Sequence, residues 1–255
     1  VVFATAVESQ SCSILIGDDT VQLEIKELLQ RNNNLVRHLV PAYGNKVVSY
    51  IDVQAKLPFY GVIAWADNFS GACIDRGLGP TKSGESSHRE ELNTRCPFVS
   101  DLTENLLGRA WLREDGAEFG IERMLVDANW QSDVVYQFCR EQGSSILLPS
   151  HGKGVGAAAT PFSEYKRKPD DRIGKHWRIP NVSGKRAIRH ILIDTNFWKS
   201  FCAARLLAAP GQRGALSFFG PKKSGMHQLL TEHLTSEFRV RTSGRGREVD
   251  ETSHR

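Results

Sequence analysis

No C-x-x-C pair occurs anywhere in the 255 residues. The five cysteines, Cys12, Cys73, Cys96, Cys139 and Cys202, are scattered and odd in number, which argues against a disulfide scaffold or a structural zinc site and for a reducing compartment. Long apolar runs are also missing. No segment approaches the length of a membrane span, and Val1 to Val7 lacks the basic start and apolar length of a secretion signal. A soluble intracellular protein, without a membrane partner, is therefore expected. The pattern G-x-x-x-x-G-K-[ST] is absent, which excludes a nucleotide-cradling P-loop; so are G-x-S-x-G and H-E-x-x-H, which excludes a nucleophile-elbow hydrolase and a zincin. One class of metal nuclease places Pro-Asp upstream of an acid, any residue, then Lys. Here Glu164-Tyr165-Lys166 precedes Pro169-Asp170, so that order is reversed. His151 adjoins Ser150 in sequence, and neighbours of that kind seldom face each other as triad members. His227 and His233 are expected on an exposed helix face rather than as ligands. The missing initiator methionine leads to the expectation that the chain was cut from something longer.

What is present begins with an uneven charge. The formal net charge is only +4. Between Ser150 and His190, however, lie Lys153, Lys166, Arg167, Lys168, Arg172, Lys175, Arg178, Lys185, Arg186 and Arg189, against Glu164, Asp170 and Asp171 alone. Setting these aside leaves 23 basic against 26 acidic residues elsewhere. A positive excess confined to one segment suits a polyanion such as nucleic acid, although a solvated loop is the plainer reading of any such run. Gly152-Lys153-Gly154-Val155-Gly156 can present backbone amides and one ammonium to a phosphate, but a lone glycine cluster is a weak signal.

The length suits one sizeable core. Asp19 or Thr20 is expected to cap a helix over residues 21–30. From Lys46 the period changes to that of strands: 46–53, 59–66 and 71–75 read as an antiparallel meander, with Asp67-Asn68-Phe69-Ser70 as a hairpin turn. Residues 81–93 read as an exposed excursion, and Asp101 as the start of a short helix. Residues 121–126 form an apolar strand, Ser132 is expected to cap a helix that Gly143 ends, and 146–148 begins the next strand. Strand, helix, strand at that length is a parallel crossover. A further strand over 187–194, a helix after Thr195 or Asn196, short strands within 211–220 and 238–241, and a helix over 225–235 complete the pattern. The predicted fold class is α/β. A meander followed by parallel crossovers leaves few options, and a ribonuclease H-like mixed sheet with flanking helices is one of them.

In that order the first strand lies beside and parallel to the fourth. Asp52 in Tyr50-Ile51-Asp52-Val53-Gln54 and Asp127 in Leu125-Val126-Asp127-Ala128 would then sit on adjacent strands near their carboxyl ends. A carboxylate among apolar neighbours needs a cation, a donor or a proton in return for its lost water. Two of them side by side can share divalent metal. Asp194, at another strand end, is an alternative acid, although a helix cap is its better reading.

These residues together resemble the nuclease domain of the large terminase subunit of tailed bacteriophages, in its lambda-like GpA family. The resemblance runs from about Val47 to Asp250. It is carried most specifically by Ile51-Asp52-Val53-Gln54, by Leu125-Val126-Asp127 with Val134-Val135-Tyr136-Gln137-Phe138-Cys139-Arg140 after it, by Leu148-Pro149-Ser150-His151-Gly152-Lys153-Gly154, and by Asp194-Thr195-Asn196-Phe197-Trp198-Lys199. It implies a ribonuclease H-like endonuclease domain over 45–255, with residues 1–44 as a connector from an upstream ATPase motor. It also implies Asp52 and Asp127 as catalytic ligands of Mg²⁺ or Mn²⁺, and cleavage of concatemeric double-stranded DNA during packaging. The implied partners are DNA, the terminase small subunit, the portal or procapsid and the motor, in the host cytoplasm.

The family pattern continues past Val-Asp-Glu-Trp into a stretch of the type Asp-Asn-His-Trp-Leu-Asp-Cys, whose acid resembles a third metal ligand. Here Val249-Asp250-Glu251 is followed by Thr252-Ser253-His254-Arg255. A domain truncated at its C-terminus is therefore expected, and two rival readings stay open. One is a non-catalytic DNA-binding or motor-docking module; the other is a different ribonuclease H-like nuclease, such as a resolvase or transposase.

Overall fold

The computed structural model describes residues 14–16, 19–21, 23–54, 58–79, 97–184, 187–222, 224–244 and 247–254. Its centre is a nine-stranded mixed sheet. β3 (Lys46–Asp52), β4 (Phe59–Trp65) and β5 (Gly71–Leu78) form the expected antiparallel meander. The turn between β4 and β5 closes as the sequence suggests: Asn68 Oδ1 accepts from the Ser70 amide at 2.9 Å, and Phe69 takes a left-handed φ of 62°.

β8 (Ile121–Asp127) lies beside β3 and parallel to it, and β9 (Leu147–Lys153) continues in parallel beside β8. α3 (Ser132–Gln142) makes the crossover between them and ends at Gly143, which adopts the left-handed φ of 58° that a side chain disfavours. Next comes β12 (Ile191–Asp194), parallel to β9, and then the antiparallel pair β11 (Trp177–Ile179) and β10 (Arg172–Ile173). β13 (Leu216–Phe218) closes the opposite edge, parallel to β5. Short pairs β1 (Ile14–Ile16) with β2 (Asp19–Val21), β6 (Trp111–Leu112) with β7 (Glu118–Phe119), and β14 (Glu237–Gly244) with β15 (Arg247–His254) lie outside this sheet.

Strand alternation divides the core in two. Ile51, Val62, Ile74 and Val126 face α2 (Pro97–Leu107) and α3, packing on Val99, Leu102, Leu106, Val135 and Phe138. Tyr50, Leu125 and Ile193 face the other way, onto Trp198 of α4 (Thr195–Leu207). On that second face Ile63 and Cys73 pack with Cys202 and Leu206 of α4 and with Leu230 and Leu234 of α5 (Gln228–Leu234). Helices on both faces explain why the central strands read as near-continuous apolar runs. Residues ahead of β3 join the same body: Leu23 and Leu28 are in the core, and Asn32 bridges to Phe218.

Several local expectations are corrected. The helix expected over 21–30 is reduced to α1 (Ile25–Leu28) and a 3-10 turn, Leu29–Arg31, because Asp19, Thr20 and Val21 pair in β2. Asp101 lies inside α2 rather than capping it. Ser132 is the first residue of α3 and donates backward to the Ala128 carbonyl at 2.6 Å; the cap position is Gln131. The strand expected over 187–194 is regular only from Ile191. His227 is fully buried rather than exposed, since both ring nitrogens find partners inside. The excursion at 81–93 lies outside the described residues.

Candidate functional site

Asp52 and Asp127 are the last residues of β3 and β8. The register pairs Tyr50 with Leu125 and Ile51 with Val126, which puts Asp52 next to Asp127 on strands about 4.8 Å apart. Alternation turns both side chains toward the α4 face, with Tyr50 and Leu125. Their exposures are 0% and 3%. The Gln54 side-chain amide donates to Asp52 Oδ2 at 2.6 Å and orients that carboxylate. Beyond Asp127, the Ala128 amide donates to the Ser150 carbonyl at 2.8 Å, tying the strand end to β9.

The turn after Asp127 is held by a network that sequence reasoning missed. Asn129 Oδ1 can only accept, so His151 Nδ1 donates to it at 3.2 Å, leaving Nε2 to accept from the Tyr136 hydroxyl at 2.6 Å. The Tyr136 ring stacks on His190, their centroids 5.7 Å apart. Burial pushes the His151 pKa down, helped by His190 and Lys153, so the neutral ring the network requires is also the favoured one. Only proximity in the fold joins these four residues.

Asp194 takes the cap role. It is the N-cap of α4, where Oδ1 accepts from the Phe197 and Val155 amides, each at 3.4 Å, and Oδ2 meets His176 Nδ1 at 3.4 Å. Burial raises its pKa, opposed by these donors. Ser150 is level with Asp127, whereas Asp194 pairs with Lys153 on a strand one further out. Two strand spacings and three residues separate Asp194 from Asp127, about 10 Å in each direction. Metal ions of a two-metal site lie roughly 3.5 to 4 Å apart, so Asp194 stands outside the shell of the pair. Among the described residues, no group of three or more His, Cys, Asp or Glu converges in a way that could hold a metal ion. Two carboxylates suit a hard divalent cation that keeps several waters and takes other ligands from substrate phosphates.

The basic segment leaves the sheet at Lys153, the exposed last residue of β9, and returns through β10, β11 and β12. Lys166, Arg167, Lys168, Arg172, Lys175 and Arg189 are exposed as well. Arg178 differs: its guanidinium donates to Asp171 Oδ2 at 2.8 Å and lies 5.2 Å from the Tyr165 ring, so it organises the segment. Lys185 and Arg186 lie outside the described residues. Buried Asp171 also accepts from the Asn181 amide at 2.6 Å and the Lys168 amide at 3.0 Å, and these donors hold its carboxyl at a pKa of about 2. Because the folded pKa is depressed below the ordinary 3.9 or so, this contribution is full above that value and lost as pH falls through about 2. Protection of the Lys168 and Asn181 amides, taken relative to their intrinsic exchange at each pH, should therefore fall on acidification across that window. Asp171→Asn should exchange fast already at neutral pH; equal protection in both proteins would refute the role of the charge.

Cys73 and Cys139 are buried, and burial lifts each thiol to about 12, which leaves them unreactive. Among the described residues no helix is long and apolar enough to cross a membrane.

A family model described as the terminase large subunit gpA endonuclease domain matches residues 17–253. Neither the curated proteins nor the solved structures contain a match to the chain.

Proposed function

Since the chain belongs to the terminase large subunit gpA endonuclease family, we propose that it is the metal-dependent cutting domain of a phage packaging machine, acting on concatemeric double-stranded DNA. The observation that carries this reading is the side-by-side burial of Asp52 and Asp127 at the ends of neighbouring parallel strands. The strand order, a meander whose first strand is continued on its free side by the parallel strands β8, β9 and β12, supports a ribonuclease H-like core for the domain.

Asp52 and Asp127 would hold Mg²⁺ or Mn²⁺ through carboxylate oxygens, with Gln54 fixing the angle of Asp52. Such an ion, when bound, supplies an activated water and charge stabilisation at the phosphate and the leaving 3′ oxygen. Lys153 and the exposed bases of 166–189 hold the phosphate backbone without reading sequence. The remaining assignments follow the family: residues 1–44 lead from an ATPase motor, the small subunit and portal are partners, and the work is done in the host cytoplasm.

Convergence of only two acids among the described residues favours a second reading, a module that binds DNA or docks the motor without cutting. A supercoiled-plasmid assay separates the two. Under the nuclease reading, nicked and linear products accumulate with Mg²⁺ or Mn²⁺ and vanish with chelator. Plasmid bound yet left intact in both metals would mean the docking module.

A further inference from the structure

On the flank of Asp52 opposite the basic segment lies an open cleft of about 600 Å³, lined in part by Val36, Arg37, Arg76, Phe219 and Met226 and by no acidic side chain. Arg76 is the unusual member. Its Nε donates to His227 Nδ1 at 2.8 Å and its Nη2 to the Met226 carbonyl at 2.9 Å. His227 Nε2 donates to the Phe219 carbonyl at 2.7 Å, which fixes the tautomer and makes Nδ1 an acceptor. The ring is thus neutral, as its burial also favours. Both hydrogen-bond partners of Arg76 are uncharged, and burial pushes its own pKa below the usual guanidinium range. Arg37 adds a second cation, held by Asp75 Oδ1 at 2.6 Å, the Tyr60 hydroxyl at 3.1 Å and the Arg76 carbonyl at 2.9 Å. Asp75 thus holds Arg37, neutral partners hold Arg76, and the orientations of both guanidinium groups are already set. Half-desolvated cations with fixed geometry are suited to an anion with several acceptor oxygens.

The sheet says which anion. Arg76 pairs with Gly61, which pairs with Tyr50, so Arg76 is two strands from β3, on the face that carries Asp52. β5 runs parallel to β3, and its last residue, Leu78, is level with Phe59 and hence with Asp52. Lys153 is on β9, two strands from β3 on the other side. The two flanks are four strand spacings apart, about 19 Å across the sheet. That exceeds the roughly 12 Å width of the major groove, so a duplex lying over the strand ends meets the flanks with different parts of its backbone.

We propose that the Arg37–Arg76 cleft is a second phosphodiester-binding subsite, gripping duplex DNA on the side of the carboxylate pair opposite Lys153 and the 166–189 bases. The proposal rests on the nuclease reading above. The test is anisotropy of a fluorescent duplex several turns long, titrated at a series of salt concentrations. Val36 is 68% exposed on the cleft rim, so Val36→Glu adds a negative charge there without removing any bond that holds Arg76. Val36→Glu and Arg76→Gln should each weaken binding similarly for duplexes of unrelated sequence, and Arg76→Gln should lower the salt slope by about 1. Arg76→Lys should retain the slope. Wild-type affinity and slope in Val36→Glu, with the Lys166, Arg167 and Lys168 reversal still weakening binding, would overturn the subsite alone and leave an acidic peptide as its occupant. A wild-type protein that binds no duplex would overturn both this proposal and the nuclease reading.

Discussion

Asp52→Asn should reduce plasmid nicking by about 10³-fold or more while leaving duplex affinity unchanged. A bound metal ion contributes several kcal/mol of transition-state stabilisation, and each 1.4 kcal/mol or so is a factor of ten in rate. The substitution removes a metal-holding charge from the end of β3 and touches no phosphate-binding base. Asp127→Asn should behave alike, because the register places the two acids as equals. Asp194→Ala is the contrast. It removes the N-cap of α4, at a cost of about 1 kcal/mol, and should leave the cleavage rate of the folded protein within a few fold. The same variants carry a stability signature. Two carboxylates buried side by side repel each other when no cation lies between them. Without divalent metal, Asp52→Asn should therefore melt no lower than the parent, as expected where function is held at the expense of stability. Single-turnover nicking, duplex anisotropy and melting curves on these proteins decide the matter. Unimpaired cleavage by Asp52→Asn would remove the pair from the mechanism, and a large cleavage loss in Asp194→Ala would return that residue to the site.

The second large effect is electrostatic. Duplex affinity should fall steeply with salt, since neutralising 6 to 10 phosphates costs about 10³ to 10⁵ in affinity between 50 and 200 mM salt. Seven of the ten bases named in the sequence are exposed in the fold: Lys153, Lys166, Arg167, Lys168, Arg172, Lys175 and Arg189. Reversing Lys166, Arg167 and Lys168 to glutamate should flatten the slope by about 0.9 for each phosphate that is no longer neutralised. Little dependence on DNA sequence is expected, as phosphate contacts position a duplex without reading its bases. Arg178→Ala should act differently, loosening the segment around Asp171 and weakening binding through lost order. An unchanged slope in the triple reversal would reduce the segment to a solvated loop.

Local sequence determined much of this arrangement. The short, largely apolar runs over Lys46–Asp52, Phe59–Trp65 and Gly71–Leu78, interrupted by turn residues, specify a meander, because run length and turn chemistry act over a few residues. The spacing of the next strand, helix and strand specifies the parallel crossover, and from that order the adjacency of Asp52 and Asp127 is legible in the chain itself. Pairing between distant segments decided the rest. Asp19 and Thr20 read as a helix cap and Val21 as the first helical residue, yet all three pair as a strand, because a partner strand at Ile14–Ile16 overrides a weak local preference. The basic stretch conceals the β10–β11 pair and its Asp171 anchor, whose donors come from three separate positions. His227 is buried only because Arg76, 151 residues earlier, supplies a donor for one nitrogen and Phe219 an acceptor for the other. Charge and period are properties of a segment and can be read along the chain. The satisfaction of a buried polar group depends on what the fold brings to it, and that was decided by tertiary structure alone.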